Sequence, residues 1–263
     1  MNGTVFASRR RVSRRRASRQ PQRWVVPLVA VSLMALPASI GCRDQSATPV
    51  PAEQAAVAAA AEVDFAGQLA RGRSGHSDRI ALSQTSIDDS LLKALARGDD
   101  WLEVLQLDAG VIGDEGIESI AALPQLWHLR LRNSPVTDRG LKTIARCVSI
   151  QILNLPHCDA TAGGVAELAS LPDLRNLRLG GTRLGSDTAA SVAGLKSLRN
   201  VHLIGVPIDD QGLRQIASLP KLQSLYLDDS AVTQSGWDWL FETHPRLHVH
   251  VNQQHLDRVN QNH

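Results

Sequence analysis

The chain has 263 residues, three cysteines and a formal net charge of +2 at pH 7. Eight arginines and no acidic residue lie within residues 1–42, so the remaining residues 43–263 carry a net charge of −6. The basic balance belongs to the N-terminal segment alone, and the composition therefore does not predict a nucleic-acid-binding protein.

Residues 1–42 have the organisation of an export signal. The arginines precede an apolar run from Trp24 to Ile40, and this order is typical of a signal peptide. The run ends in Gly41-Cys42, which resembles the end of a bacterial lipobox, so Cys42 is a candidate for lipidation. Plain cleavage and an uncleaved signal anchor are the alternatives. Each of the three predicts that the repeats lie outside the cytoplasm, and the predicted location is the bacterial cell envelope, in association with the membrane.

Residues 43–78 are predicted to connect this signal to a folded domain. Residues 43–61 are rich in Ala, Pro, Gln and Ser, a composition typical of a flexible linker. The stretch from Glu62 to Leu69 is a candidate for an N-terminal capping helix.

A 24-residue repeat fills most of residues 79–257. Its units share a phrase that reads L-x-x-L-x-L, a turn, and then T/D-D-x-G-L-x-x-I-A-x-L-P. A unit of this size cannot bury its own apolar face, so the period predicts stacked turns. The first apolar residues of six such phrases are Leu102, Leu126, Ile150, Leu174, Leu198 and Leu222.

One unit shows how the phrase predicts local structure. Leu129 and Leu131 alternate with polar residues, which indicates a short strand with one buried face. Thr137 is the predicted N-cap of a helix, with Asp138 in its first turn, where the helix dipole favours negative charge. A glycine recurs two residues after that aspartate, as at Gly140, and predicts that each helix lies close to the sheet.

The ends of the repeat differ from its middle. A fainter unit with Ile80, Leu82 and Ile87 precedes the others, and the bulky residues Trp237, Trp239 and Phe241 indicate a capping last helix. The segment Arg246 to Val251 alternates like a strand but places His250 where leucine is expected, which predicts a slipped terminal strand. Residues 258–263 are a C-terminal tail.

The strand phrase joined to a helical half-repeat resembles the leucine-rich repeat family, in its ribonuclease-inhibitor-like and cysteine-containing subclasses. The resemblance implies an α/β solenoid with a curved parallel sheet on its concave side and short helices on its convex side. In this family the concave face usually binds another macromolecule. The asparagine that normally follows the strand is missing; its positions hold Gly110, Ser134, Cys158, Thr182, Val206 and Ser230.

The sequence carries no catalytic signature. The motifs H-E-x-x-H, G-x-S-x-G, G-x-x-x-x-G-K-[ST] and C-x-x-C are missing, so neither an enzyme nor a cofactor is predicted. Gly180-Gly181 is interpreted as a turn that requires positive φ. The acidic pairs Asp88-Asp89 and Asp209-Asp210 fall where helices begin and are interpreted as caps.

Histidines are possible metal ligands, and a pair of cysteines is able to form a disulfide. His244, His248, His250 and His255 match no structural zinc spacing, so no metal site is predicted. Cys147 and Cys158 stand at repeat positions whose side chains are expected to point into the core, so both are predicted to be buried apolar fillers. A disulfide between them in an oxidising compartment is the alternative.

The outward-facing strand residues are the predicted binding site for a protein or peptide, and the arginines among them suggest a polar or acidic partner. A structural envelope protein that contacts wall polysaccharide or its own copies is the alternative. Trp127, if exposed, is a further binding candidate. The predicted partner-binding residues are His128, Arg130, Arg132, Asn154, Asn176, Arg178, Asn200, His202 and Tyr226.

Replacement of Cys42 tests the predicted membrane attachment. If Cys42 is lipidated, Cys42→Ser removes the acylated thiol, and we expect the protein to move from the membrane to the soluble fraction after an alkaline wash. A variant that stays with the membrane pellet would instead identify residues 24–40 as an uncleaved anchor.

Overall fold

A computed structural model describes residues 64–255 of the protein, and the predictions made for residues 1–63 and 256–263, lipidation of Cys42 included, lie outside this range. The strands are β1 (Arg79–Leu82), β2 (Val104–Leu107), β3 (His128–Leu131), β4 (Ile152–Leu155), β5 (Asn176–Gly180), β6 (Asn200–Ile204), β7 (Ser224–Asp228), β8 (His248–Val251) and β9 (Gln254–His255). The α-helices are α1 (Phe65–Arg73), α2 (Asp89–Leu92), α3 (Asp114–Ile120), α4 (Asp138–Ile144), α5 (Ala162–Glu167), α6 (Thr188–Gly194), α7 (Asp210–Ala217) and α8 (Gln234–Thr243).

The strands form one sheet in chain order. β1 to β8 are parallel and β9 returns antiparallel to β8. From β2 to β8, residues 24 apart are direct partners, so Leu129 lies beside Leu153 and Leu153 beside Leu177. Strands stack about 4.8 Å apart whereas packed helices need about 8–10 Å, so the coil bends with its strands on the inside. The predicted leucine-rich repeat solenoid is confirmed.

A single apolar core runs along the coil. Leu129, Leu153 and Leu203 have no exposed surface, and the same core includes Phe65 at one end and Val249 at the other. Because the apolar side chains of each turn are covered by the turns on either side, the stability of one turn depends on its neighbours.

The last parallel strand is not slipped. Leu225 pairs with Val249 and Tyr226 pairs with His250, which continues the 24-residue register. Val249 and Val251 therefore occupy the leucine positions, and His250 points outward like Tyr226. The prediction of a slip was wrong because it assigned His250 to a leucine position one residue away from the repeat's true register.

Aspartates connect successive helices on the convex side. Thr137 caps its own helix, as predicted, by accepting a hydrogen bond from the Arg139 backbone N–H. It also donates from its backbone N–H and hydroxyl to the Asp114 carboxylate, at 2.9 and 2.6 Å. Asp138 receives the same pair of hydrogen bonds from Thr161, at 2.7 and 2.7 Å. We call this arrangement the aspartate bridge; Asp210 and Thr233 form another.

The aspartate bridge explains the recurring glycine. A Cβ atom built on Gly140 would lie under 3.0 Å from the Asp114 carboxylate, and one on Gly164 equally close to Asp138. The crowding at Gly140 comes first from the aspartate of the preceding helix and then from Val136 at 2.6 Å, and not from the sheet, which corrects the sequence interpretation. Where the aspartate position holds Ala162, the glycine position holds Thr188, a fully buried residue. In this pair of turns the carboxylate is absent at position 162, and the glycine is replaced by a residue with a side chain at position 188.

Gly180 and Gly181 do not have positive φ, unlike Gly75 and Gly205, so the sequence interpretation was wrong. These glycines instead allow close backbone approach. A Cβ atom on either residue would lie under 3.0 Å from the carbonyl oxygen of Pro156 or Cys158 in the previous turn.

Helix α1 covers the first strand. The Gln68 side-chain amide exchanges two hydrogen bonds with the backbone of Ala81, at 2.9 and 2.8 Å, and so pairs an otherwise open sheet edge. Arg73 forms an ion pair with Asp99 at 2.8 Å, and its hydrogen bond lowers the pKa of the buried Asp99 carboxyl to about 2.

Substitution of Gly140 tests the aspartate bridge. We expect Gly140→Ala to lower the free energy of unfolding by about 1–3 kcal/mol, because the added methyl group displaces Asp114. Gly194→Ala is the matched control, since no atom lies within 4 Å of its added Cβ. Thermal unfolding would measure both variants.

A double variant distinguishes the bridge from general crowding. In an Asp114→Ala background, Gly140→Ala is expected to cost less, because the clash with the carboxylate is removed and only the contact with Val136 remains. Additive costs in the double variant would contradict the account.

Candidate binding surface

The outward residues of the strands form one continuous patch. Successive strands place them side by side, about 4.8 Å apart. The first column contains His128, Ile152, Asn176, Asn200 and Ser224, and the second contains Arg130, Asn154, Arg178, His202 and Tyr226. The structure therefore brings the predicted site residues together, with Arg132 directly after β3. Val104 extends the first column at β2 but is buried.

In the N-terminal part of the patch, the charge of Arg130 is paired. Arg130 forms an ion pair with Asp108, and both side chains are largely buried. The Gln106 side-chain nitrogen lies 3.4 Å from His128 Nε2. Burial, with Arg130 and Arg79 nearby, lowers the pKa of His128, so this imidazole is neutral at physiological pH. This part of the patch consequently offers less free positive charge than the sequence suggested.

Arg178 occupies the middle of the patch. Its Nε atom is buried and has no hydrogen-bond partner, and among the residues that the structure describes it makes no ion pair. Burial lowers the pKa of Arg178, and Arg132 and Arg130 lower it further, while Asp228 acts in the opposite direction. Arg178 is therefore a partly desolvated cation whose positive neighbours outweigh its negative one.

A shallow depression of about 200 Å³ surrounds Arg178. Asn154 contributes a buried side-chain oxygen without a hydrogen-bond partner, and Asn200 donates to the Asn176 side-chain oxygen at 2.7 Å. Tyr226 forms its far wall. One donor nitrogen and one acceptor oxygen beside the depression thus have no hydrogen-bond partner, and both atoms are buried.

The C-terminal part of the patch is aromatic and was incompletely predicted. His202 Nε2 lies 2.9 Å from the Asp228 carboxylate. The Tyr226 ring stacks on His250, with ring centroids 4.6 Å apart, and His250 Nε2 lies 2.9 Å from His248 Nε2. His248 and His250 were not included in the predicted site. Counting 24 residues on from Ser224 and Tyr226 would have placed both on this face.

Trp127 is not a freely exposed side chain. Its ring is half-buried, and its indole N–H donates to the Glu103 carboxylate of the preceding turn at 3.2 Å. The ring centroid lies 5.6 Å from that of His128. Trp127 therefore packs along the edge of the sheet, beside the patch.

Both cysteines of the described range are unpaired and buried, in agreement with their interpretation as core fillers. Burial raises the pKa of the Cys147 thiol to about 11 and also raises that of Cys158. Neither side chain is a thiolate at neutral pH, so neither is a reactive nucleophile.

Residues 64–255 contain neither a cluster of metal-ligating side chains nor a helix able to span a membrane. Within that range, no three His, Cys, Asp or Glu side chains converge in a way that would hold a metal ion. No helix in the same range combines the length and the apolar character needed to cross a bilayer.

No protein-family model matches the sequence, and no curated protein is significantly similar to it. Among solved structures, an internalin from Listeria monocytogenes has a TM-score of 0.49 at 21% identity, over 65% of this chain and 69% of that one. The plant peptide hormone receptor RGFR1, in complex with RGF2, has a TM-score of 0.43 at 17% identity. It covers 70% of this chain, which spans only 29% of the receptor.

The Arabidopsis receptor kinase HAESA, in complex with the peptide hormone IDA and a co-receptor, has a TM-score of 0.35 at 11% identity. It covers 60% of this chain, and this chain covers 35% of it. The repeat phrase in the sequence and the parallel coil that the phrase builds show a leucine-rich repeat fold.

Proposed function

We propose that the chain is a non-enzymatic binding module outside the cytoplasm, which holds a polar or acidic segment of a protein or peptide on its concave face. The observation that carries the proposal is Arg178. A cation that is partly removed from water and lies near other cations is unfavourable in the unbound protein. An anionic group placed beside it relieves that cost, so the proposal assigns Arg178 a carboxylate of the partner.

The shape of the patch suggests an elongated ligand. Its two polar columns cross the strands β3 to β8 over about 24 Å, with the Arg178 depression near the centre. Asn154, Asn176 and Asn200 offer amide groups on either side of the arginine, which suit the backbone of an extended peptide. Because the sheet is already ordered before binding, only the partner loses conformational entropy when the complex forms.

Membrane attachment is the second part of the proposal. The basic and apolar residues 1–40 and the lipobox-like Cys42 support export and an envelope location, and the Ala- and Pro-rich residues 43–61 would act as a tether. The net charge of −6 for residues 43–263 gives no support to nucleic acid as the partner.

The polysaccharide alternative has less support. Saccharides in protein grooves commonly pack on exposed aromatic faces, and within the described part of the patch Tyr226 is the one phenol or indole ring among the two columns. Its face is already stacked on His250. Contact with other copies of the chain is tested directly by the experiment below.

Charge reversal at Arg178 tests the proposal. We expect Arg178→Glu to abolish crosslinked recovery of the partner from native envelopes. Once the partner is identified, its affinity should fall by at least about 2 kcal/mol, roughly thirtyfold in Kd. Arg175→Glu is the matched control, because Arg175 lies three residues earlier in the same turn with an exposed side chain.

Equal recovery by wild type and Arg178→Glu would move the binding site to the convex face or to Trp127. Recovery of no partner, or only of the chain itself, would favour the structural envelope role.

A further inference from the structure

Three consecutive loops that lead into strands carry exposed cations and no acidic residue. They are the loops before β6, β7 and β8, and they contain Lys196 and Arg199, Lys221, and Arg246. Within residues 64–255, none of these four cations forms an ion pair. The loops lie side by side, since the Gln223 backbone N–H donates to the Arg199 carbonyl at 2.7 Å. We call the side of the coil formed by these four cations the basic edge.

Acidic residues lie at the other end of the same strands. The loops that follow β5, β6 and β7 contain the exposed residues Asp187, Asp209 and Asp229, and Arg183 is the one cation in these three loops. A five-residue strand separates the two sets of loops by about 15 Å. The basic edge is thus a local site for anions on a protein whose residues 43–263 carry a net charge of −6.

The same side of the coil also exposes an apolar side chain. In the loop before β4, Val148 occupies the repeat position that Lys196 holds two turns later, and it is 63% exposed. The loop between these turns contains one charge of each sign, Asp173 and Arg175. Cations beside an exposed apolar residue suit the headgroup region of a bilayer better than they suit a dissolved polyanion.

We propose that the basic edge docks on a bilayer surface that contains anionic phospholipid, an inference that rests on the membrane attachment proposed above. Each Lys or Arg close to such a surface favours the docked orientation by about fivefold. The attraction extends over about one Debye length, about 8 Å at physiological ionic strength. Because the proposed linker of residues 43–61 keeps the domain near the bilayer, a weak attraction is enough to orient it.

Docking through the basic edge leaves the candidate binding surface accessible. The strands run from the basic edge to the acidic loops, so in the docked orientation they stand away from the membrane and the acidic loops face away from the anionic lipid. Arg178 lies on the sheet face between the two ends of β5. Membrane docking and partner binding therefore use different surfaces and do not compete.

Fluorescence quenching tests this orientation, using protein purified from native envelopes with its N-terminal segment and reconstituted into vesicles. A fluorophore is attached to Gln223→Cys, beside the basic edge, or to Ser186→Cys, in an acidic loop, and the lipid headgroups carry the quencher. Cys147 and Cys158 are buried, and wild type treated in the same way gives the background from Cys42. We expect phosphatidylglycerol-containing vesicles to quench the first label and not the second. Pure phosphatidylcholine vesicles or high salt should remove the difference.

Charge reversal identifies the residues responsible. The double variant Lys196→Glu/Lys221→Glu should lower the ratio of docked to undocked protein by at least about twenty-five-fold, because two attractive charges are lost. Lys93→Glu/Lys142→Glu is the matched control, since it changes the net charge equally at exposed lysines outside the three loops. Its quenching should equal that of wild type, and circular dichroism melts would show that both double variants stay folded.

The outcomes separate docking from attachment. Protein that floats with neither type of vesicle would contradict the membrane attachment and with it this inference. Protein that floats but shows equal quenching of the two labels would contradict the docking alone, as would quenching that persists in Lys196→Glu/Lys221→Glu. Equal quenching together with tight binding of added polyphosphate would assign the basic edge to a dissolved polyanion instead.

Discussion

The in-phase stacking of 24-residue turns is the constraint on which the rest of the structure depends. A turn that contains one four- or five-residue strand and one short helix has too little apolar surface to fold alone. Leu129, Leu153 and Leu177 are buried because each lies directly beside its equivalent in the next turn. The same register that buries these residues aligns the alternate residues on the concave face. The 24-residue register therefore determines both the core and the candidate binding surface.

On the convex side, the aspartate bridge links the helices of successive turns by hydrogen bonds. Each bridge joins the first turn of one helix to the cap of the next. The bridge requires glycine in the neighbouring helix, as at Gly140 and Gly164. The pair of Ala162 and Thr188 shows the converse within one chain: where no carboxylate projects, a side chain fills the space.

The sequence predicted the fold well because a repeated phrase reports stacking directly. The alternation around Leu129 and Leu131, the cap at Thr137 and the two outward columns all follow from local periodicity. The ion pair of Arg130 with Asp108 and the contact of His202 with Asp228 were not predicted, because they join different columns of adjacent strands and depend on side-chain rotamers. These contacts pair Arg130 with Asp108 and Asp228 with His202, and within the described residues neither Arg178 nor Arg132 makes an ion pair. His250 was misplaced for a simpler reason, an error of one residue in register.

The central claim is that the concave face, centred on Arg178, binds the partner. The most direct measurement is site-specific photocrosslinking in native envelopes, with the photoreactive residue at Asn176 on the concave face or at Glu167, which is exposed on α5 of the convex side. The account predicts that the position of Asn176 captures a partner and that the position of Glu167 does not. Capture from Glu167 with none from Asn176 would contradict it.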